Sequence, residues 1–210
     1  MSIFSPGHVA KSFIASACVF FAPHSAAAQT APVTPNGAAL CVTCHGMHGE
    51  GAPTGAPRLA GQNAEYMSHA LSMFKAATRA SPIMQPIAQT LSDAQMSELA
   101  TYFSKQTAPL TDAHSGASPQ LLQAGKQLSE VGVANVAACF SCHGKEGRGN
   151  GTRFPSIAGQ PAQFSIDRLH EFQARARAKA PQAGTMTAVA ATLDEKQIEA
   201  AAAYLAGLEN

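Results

Sequence analysis

The chain repeats itself, and this repeat constrains the fold more than any other feature of the sequence. The stretch CVTCHGMHGEGAPTGAPRLAGQ, which begins at Cys41, aligns without a gap to CFSCHGKEGRGNGTRFPSIAGQ, which begins 98 residues later at Cys139. The second copy then holds four extra residues between Arg177 and Met186, after which the copies match again at an offset of 102. Self-similarity at a fixed offset marks repeated structural units, so the sequence predicts two homologous units of about 90 residues each.

The two predicted units are joined by a segment of different composition. Residues 104–120 are rich in Pro, Ser, Thr, Gly and Ala, which is typical of a linker. We therefore predict a first domain over residues 29–103, called the first copy, and a second domain over residues 121–210, called the second copy.

The N-terminal residues 1–28 resemble an export signal. His8 and Lys11 precede an apolar run that is too short to span a bilayer, and small residues follow it. This pattern predicts a signal peptide cleaved after Ala28 and an exported protein. An uncleaved anchor is the alternative, and lipid attachment through Cys18 is a weaker one.

Each copy predicts helices and no convincing strand. Residues 64–79 and 164–177 carry apolar side chains at helical spacing, Ala77 among them. The last helix is predicted to begin with a capping box, Ser92 with Gln95 in the first copy and Asp194 with Gln197 in the second. Its buried stripe is predicted to comprise Met96, Leu99, Ala100, Phe103 and, in the second copy, Ile198, Ala201, Ala202, Leu205. The predicted fold class is all-α, twice over.

The charge balance excludes one broad class of partner. The 14 Lys and Arg residues nearly cancel the 13 Asp and Glu residues. A nucleic-acid-binding protein normally carries a basic excess. We therefore expect no nucleic-acid partner.

Removal of the predicted signal peptide leaves four cysteines in two pairs, each followed by a histidine: Cys41, Cys44 and His45, then Cys139, Cys142 and His143. Two disulfides would not explain the histidines. A shared zinc site would place the pairs roughly 12 to 20 residues apart, and a redox dithiol belongs to a βαβ setting. Covalent haem fits, because two thiols add to the two vinyl groups and the next imidazole binds the iron. The sequence predicts two covalently bound haem c groups.

The repeat also predicts the sixth iron ligand. Met84 and Met186 form the one aligned pair that is methionine in both copies. Pro82, Pro86 and Gly184 lie close to them and predict loops able to reach the iron. Methionine opposite histidine closes the site, favours electron transfer and raises the reduction potential. The remaining methionines of the first copy are assigned to the core, Met67, Met73 and Met96, or to the surface, Met47.

Pro57 and Pro155 follow their histidines by the same 12 residues. A carbonyl commonly accepts the free N–H of a metal-ligating imidazole, and these two prolines are candidates for that role. A proline that only shapes the loop explains the spacing equally well. The repeated glycines after each histidine are predicted to turn tightly beside the haem: Gly46, Gly49, Gly51, Gly144, Gly147 and Gly149.

At this point the chain resembles the dihaem cytochrome c4 family. The resemblance rests on the motifs above and on PIMQPIAQTLSDAQMSELATYF with its second copy GTMTAVAATLDEKQIEAAAAYL, and it covers nearly all of the predicted mature chain. It implies two cytochrome c-like domains related by an approximate two-fold axis. It also implies axial ligands and histidine partners: His45 with Met84 and Pro57, and His143 with Met186 and Pro155.

The resemblance further implies a function. Such proteins carry electrons in the periplasm between quinol-cytochrome c oxidoreductase and terminal oxidases, often at the membrane surface. We therefore expect a periplasmic electron carrier of a respiratory chain, with redox proteins as partners, possible peripheral membrane association and no catalytic residues. The alternative is a haem subunit that serves a dehydrogenase of sulfide, thiosulfate or an alcohol. A dihaem peroxidase is disfavoured, because two methionine ligands would leave no open coordination position.

The copies are predicted to differ at two places. The first copy has prolines at 32 and 35 before Cys41, so its opening helix is expected to be short. The second copy carries the basic residues Arg175, Arg177 and Lys179 where its insertion begins. A solvated helix face and a docking patch for an acidic partner both explain these charges.

Overall fold

A computed structural model of the chain describes residues 1–3, 35–111, 113 and 116–209. The chain divides into two units, Met1–Val33 and Thr34–Asn210, and every helix and strand described belongs to the second unit. The predicted signal peptide lies outside the described residues, except for residues 1–3, and so do residues 29–34, the first part of the segment expected to open the first copy.

Within its described residues the first copy forms four helices: α1 (Ala38–His45), α2 (Ala64–Lys75), α3 (Met84–Gln89) and α4 (Asp93–Ser104). Helix α2 packs against both α3 and α4. Apolar side chains of α1, α2 and α4 meet in the core, where Met67 of α2 packs with Ala100 and Phe103 of α4. The cysteine-bearing helix α1 is therefore held by the two longest helices of its own copy.

The second copy contains the corresponding helices together with one further helix, two short strands and a 3₁₀ turn. Its elements are α5 (Pro119–Glu130), β1 (Gly132–Val133), β2 (Val136–Ala137), α6 (Phe140–His143), a 3₁₀ turn (Lys145–Gly147), α7 (Ala162–Ala178), α8 (Met186–Ala190) and α9 (Glu195–Ala206). Helix α9 packs against both α5 and α7. Even α7, with 17 residues, does not cross a membrane: no described helix is long and apolar enough to do so.

The prediction for the last helix of each copy is confirmed. Ser92 caps α4 and Asp194 caps α9, each in a reciprocal capping box with the glutamine three residues later. All eight residues of the predicted stripes are buried: Met96, Leu99, Ala100, Phe103, Ile198, Ala201, Ala202 and Leu205. A loop in each copy is tied to this helix, because Gly61 N–H donates to Phe103 O at 3.2 Å and Gly159 N–H to Leu205 O at 2.9 Å.

Two predictions about the elements are wrong in detail. The sequence indicates no strand, yet β1 and β2 pair antiparallel with Gly132 opposite Ala137. Each strand has two residues, too few to show the alternation that identifies a strand. Helix α2 also ends at Lys75, so Ala77 lies beyond it with a φ of 57°, a conformation that a helix does not use.

Candidate functional site

In both copies the histidine is the last residue of a short helix, which includes both cysteines in the first copy and begins directly after Cys139 in the second. Helix α1 ends at His45 and helix α6 ends at His143. Both stop there because the next residues, Gly46 and Gly144, have φ angles of 84° and 77°, which only glycine adopts readily. The two histidines are only 6% and 5% exposed, so each imidazole is held inside its copy.

The four cysteines are free thiols, the first of each pair half-buried and the second exposed: Cys41 and Cys139, then Cys44 and Cys142. Burial raises the pKa of the Cys41 thiol and of the Cys139 thiol above the ordinary value. A redox dithiol works through a thiolate, which requires a lowered pKa. The surroundings of these half-buried thiols therefore disfavour dithiol chemistry.

Each buried imidazole forms one hydrogen bond with the same geometry. His45 Nδ1 donates to the carbonyl of Pro57 at 2.8 Å, and His143 Nδ1 donates to the carbonyl of Pro155 at 2.8 Å. A carbonyl can only accept, so the proton of the neutral imidazole sits on Nδ1 and Nε2 keeps its lone pair. Burial lowers the pKa of both histidines, only partly offset by this hydrogen bond, and so favours the neutral form that binds metals.

Backbone hydrogen bonds hold the loops that carry these carbonyls. In the first copy, Gly49 O accepts from the N–H groups of Leu59 and Ala60, at 2.8 and 2.9 Å. The second copy repeats the pattern 98 residues later, with Ile157 and Ala158 donating to Gly147 O at 2.8 and 3.1 Å. The proline carbonyls are therefore positioned by a rigid loop in each copy.

Glycine is required where the histidine turn meets the proline loop. Gly51 and Gly149 have φ angles of 85° and 94°. A Cβ atom there would lie 2.8 Å from Arg58 N and 2.9 Å from Ser156 N, the nitrogens that follow the two prolines. Real Cβ atoms do not approach backbone nitrogen so closely, so any other residue would displace the proline loop.

The structure places Met84 and Met186 in helices, and the predicted loops are wrong on this point. Met84 is the first residue of α3 and Met186 the first residue of α8, and both are half-buried. Pro86 does not prevent α3, because it is the third residue of that helix, where a backbone N–H has no intrahelical partner anyway. Their helices pack on α2 and α7 of the same copy. Ligation by these methionines stays a prediction.

The other methionines mostly occupy their expected places. Met67 and Met96 are buried in the core of the first copy. Met73 is half-buried rather than fully enclosed. Met47 is exposed, as expected for a surface residue.

Gln62 and Gln160 connect the two copies, although no role is predicted for them above. Gln160 Oε1 accepts from Arg58 N–H and its Nε2 donates to Arg58 O, both at 3.0 Å. Gln62 mirrors this, accepting from Ser156 N–H at 2.9 Å and donating to Ser156 O at 2.8 Å. Each glutamine closes one copy of the repeated AGQ motif, so the repeat itself held the signal. The reciprocal pattern is that of a two-fold related contact.

The donor set of each copy fits a covalently attached haem. Two unpaired thiols stand three residues apart, directly before a neutral imidazole whose Nε2 is available. Imidazole nitrogen suits iron, and an Nδ1–H donated to a carbonyl fixes the ring that would bind it. Among the described residues, no group of three or more His, Cys, Asp and Glu side chains could hold a bare metal ion.

Comparison with known proteins gives one consistent picture. The family described as cytochrome c matches the chain twice, over residues 37–107 and 122–209. The chain is 35% identical over 191 residues to a cytochrome c4 of Thiocapsa roseopersicina, which covers 89% of this chain and 95% of that protein. It is 37% identical over 174 residues to a thiosulfate dehydrogenase electron acceptor of Stutzerimonas stutzeri, covering 81% and 80% of the two chains.

A solved structure agrees with the sequence comparison. The crystal structure of reduced recombinant cytochrome c4 from Pseudomonas stutzeri matches with a TM-score of 0.72 at 33% sequence identity. The match covers 81% of this chain and 94% of that chain, so both copies take part in it.

Proposed function

The chain belongs to the dihaem cytochrome c4 family of electron-transfer proteins, and we propose that it carries single electrons between redox proteins in the periplasm. It holds two haem c groups. The observation that carries the proposal is the duplicated site, in which a buried neutral imidazole follows two free thiols and donates to a proline carbonyl. A carrier needs such closed, preorganised sites rather than acid–base groups.

The proposal gives each predicted residue a role. In the first copy Cys41 and Cys44 would hold the haem, His45 and Met84 would bind its iron, and Pro57 would orient the histidine. In the second copy Cys139, Cys142, His143, Met186 and Pro155 would have the same roles in the same order. When bound, haem supplies an iron that alternates between the ferric and ferrous states.

The chain's own groups then set how readily that iron is reduced. The Nδ1–H bond to the proline carbonyl makes the imidazole more basic, which favours the ferric state. The methionine thioether is a weaker donor and raises the reduction potential. Burial of each histidine in the apolar interior disfavours the more highly charged ferric state. The balance suits reversible transfer of one electron without bond breaking.

Heterologous expression with a haem-attachment system tests this function. We expect two covalently attached haems per chain by mass, spectra of six-coordinate low-spin iron in both redox states, and no rapid reaction with cyanide. The double substitution of Cys139→Ser with Cys142→Ser should leave one haem, and the matched change at Cys41 and Cys44 should leave the other. A high-spin haem that binds cyanide in the unmodified protein would contradict the closed carrier sites.

A second candidate is an electron relay for one dedicated dehydrogenase. One specific observation favours it, the 37% identity to a thiosulfate dehydrogenase electron acceptor. The two candidates differ in specificity. A relay should be reduced by one dehydrogenase much faster than by a quinol-oxidising complex, and it should copurify with that dehydrogenase. A free carrier should exchange electrons with both at comparable rates, and stopped-flow spectroscopy measures both rates.

A further inference from the structure

The side-chain amides of the two glutamines that link the copies are buried and hydrogen-bonded at both ends. Gln62 and Gln160 are 5% and 4% exposed, and each binds both the N–H and the carbonyl of one residue in the other copy. A buried amide with all of these groups paired has one stable orientation, because turning it over would oppose like groups.

The N–H that each glutamine binds belongs to the peptide group whose carbonyl accepts the histidine proton. Arg58 N–H and Pro57 O are two ends of one peptide group, as are Ser156 N–H and Pro155 O. A continuous chain of hydrogen bonds therefore runs from His45 through that peptide group to Gln160. The equivalent chain runs from His143 to Gln62.

Hydrogen bonds that share a peptide group strengthen one another. Donation of the N–H to the glutamine oxygen shifts electron density toward the carbonyl oxygen, which then accepts more strongly from the imidazole. A stronger acceptor makes the ligating imidazole more basic, and a more basic ligand favours ferric over ferrous iron. Removing the glutamine oxygen reverses each of these steps.

We propose that Gln62 and Gln160 are positioning residues that lower the reduction potential of the haem in the opposite copy. Gln160 acts on the haem held by His45, and Gln62 acts on the haem held by His143. This inference rests on the proposed function, in which both histidines bind iron. It makes the interface between the copies part of each haem's environment.

Gln160→Leu and Gln62→Leu test the inference in the full-length protein with both haems attached. Leucine has a similar volume, so it fills the site but neither accepts nor donates. We expect Gln160→Leu to raise the potential of the His45 haem alone, and Gln62→Leu to raise the potential of the His143 haem alone. The two haems are followed separately by their own shifted methyl resonances in an NMR redox titration. Gln123→Leu, at an exposed glutamine of α5, is the matched control and should move neither potential.

A second substitution at Gln160 distinguishes an effect on the reduction potential from a purely structural role at the interface between the copies. Gln160→Glu keeps an oxygen that accepts from Arg58 N–H, so the potential of the His45 haem should stay at or below that of the unmodified protein. If the glutamines only held the copies together, Leu and Glu variants would shift the potentials in the same direction. That result, a shift in the haem of the same copy, or equal shifts of both haems would overturn the inference.

The outcome is distinguishable from failure of the proposed function. If the unmodified protein shows histidine–methionine ligation of both haems and the Leu variants leave both potentials unchanged, the inference is wrong and the function stands. If the unmodified protein lacks that ligation, the proposed function itself fails. In each Leu variant we also expect faster exchange of the Nδ1 proton of the histidine in the opposite copy. Absence of this faster exchange counts against the inference.

Discussion

After its histidine-bound proline, the first copy has Arg58 where the second has Ser156. The backbone N–H of each residue donates a hydrogen bond to a glutamine of the opposite copy. Their side chains differ. The Arg58 guanidinium donates to the carbonyls of Ala108 at 2.6 Å and Pro109 at 2.9 Å, so the first copy also holds the linker. The two copies therefore share the backbone hydrogen bonds of Arg58 and Ser156 beside the histidine, which we call the backbone frame. They differ in the side chains that extend from this frame.

The helices that surround the frame also differ between the copies. Helix α7 has 17 residues where α2 has 12, because α7 continues through the positions that align with residues 76–79, where the first copy has already left the helix and Ala77 has a φ of 57°. Arg79 follows the end of α2, is buried and lies 4.5 Å from the centre of the Phe74 ring. Its aligned partner Arg177 is exposed on the last turn of α7. Aligned residues of the two copies therefore have similar backbone surroundings near the histidine and different surroundings near the insertion.

The largest expected effect concerns the helix that distinguishes the second copy. A Cβ on Gly125 of α5 would lie 2.0 Å from the backbone oxygen of Ala200 in α9, and backbone cannot move aside cheaply. Gly125→Ala should destabilise the second copy by about 3 kcal/mol, as overpacking of a tight contact does. Urea unfolding monitored by far-UV circular dichroism measures this.

The matched control for that substitution is a glycine with open space around it. Gly151 has a φ of 65° and no heavy atom within 4 Å of an added Cβ. Gly151→Ala should therefore cost only about 1 kcal/mol, the strain of a left-handed residue. Equal losses at the two sites would show that α5 does not pack on α9 as described.

A smaller effect is expected when the first copy is made to resemble the second. Arg58→Ser keeps the backbone frame and removes two hydrogen bonds from a charged group to the linker, which should cost about 2 kcal/mol. Protease cleavage within residues 104–120 should become faster. Arg153→Ser, at an exposed arginine, is the control and should change neither property. Unchanged cleavage in Arg58→Ser would mean that Arg58 does not secure the linker.

The helix caps should respond alike in the two copies. Ser92→Ala and Asp194→Ala each remove the side-chain acceptor at the start of the last helix, and each should cost about 1 kcal/mol. Unfolding in urea measures both. A loss at one cap more than twice that at the other would show that the two last helices are not equivalent.

The smallest effect concerns a contact of the second copy alone. Tyr204 O–H donates to the Glu130 carboxylate at 2.6 Å, and burial together with this bond raises the pKa of Tyr204 to about 12. The raised pKa contributes stability below pH 10, and this contribution is lost as the pH rises through 12. Tyr204→Phe should cost less than about 1 kcal/mol. Absorbance titration of the tyrosines should show one group near pH 12 that disappears in this variant and persists in Tyr102→Phe.

Features decided by local sequence could be predicted. Capping boxes and buried stripes depend on residues three and four apart, so the last helix of each copy was predicted residue by residue. Repetition then extended local signals to the whole chain and indicated an all-α fold with two equivalent sites. The short strands β1 and β2 were missed because two residues show no period.

Features decided by distant partners could not be predicted. The sequence shows that Gln62 and Gln160 are repeated, but not that each pairs with a backbone 94 or 102 residues away. Pro82 and Pro86 predict a loop at Met84, although a proline in the first turn of a helix breaks no hydrogen bond. The pairing of the glutamines depends on how the two copies approach each other. The effect of the proline depends on its position within the helix.

One pair of substitutions tests whether the two copies hold two haems in equivalent ways. Met84→Ala and Met186→Ala are each followed by haem content and by potentiometric titration of both haems. We expect each variant to keep two covalently attached haems, to lower the potential of one haem and to leave the other haem unchanged, with a different haem affected in each variant. If either variant keeps the ligand spectrum and both potentials of the unmodified protein, that methionine does not bind iron and the equivalence of the two copies is contradicted.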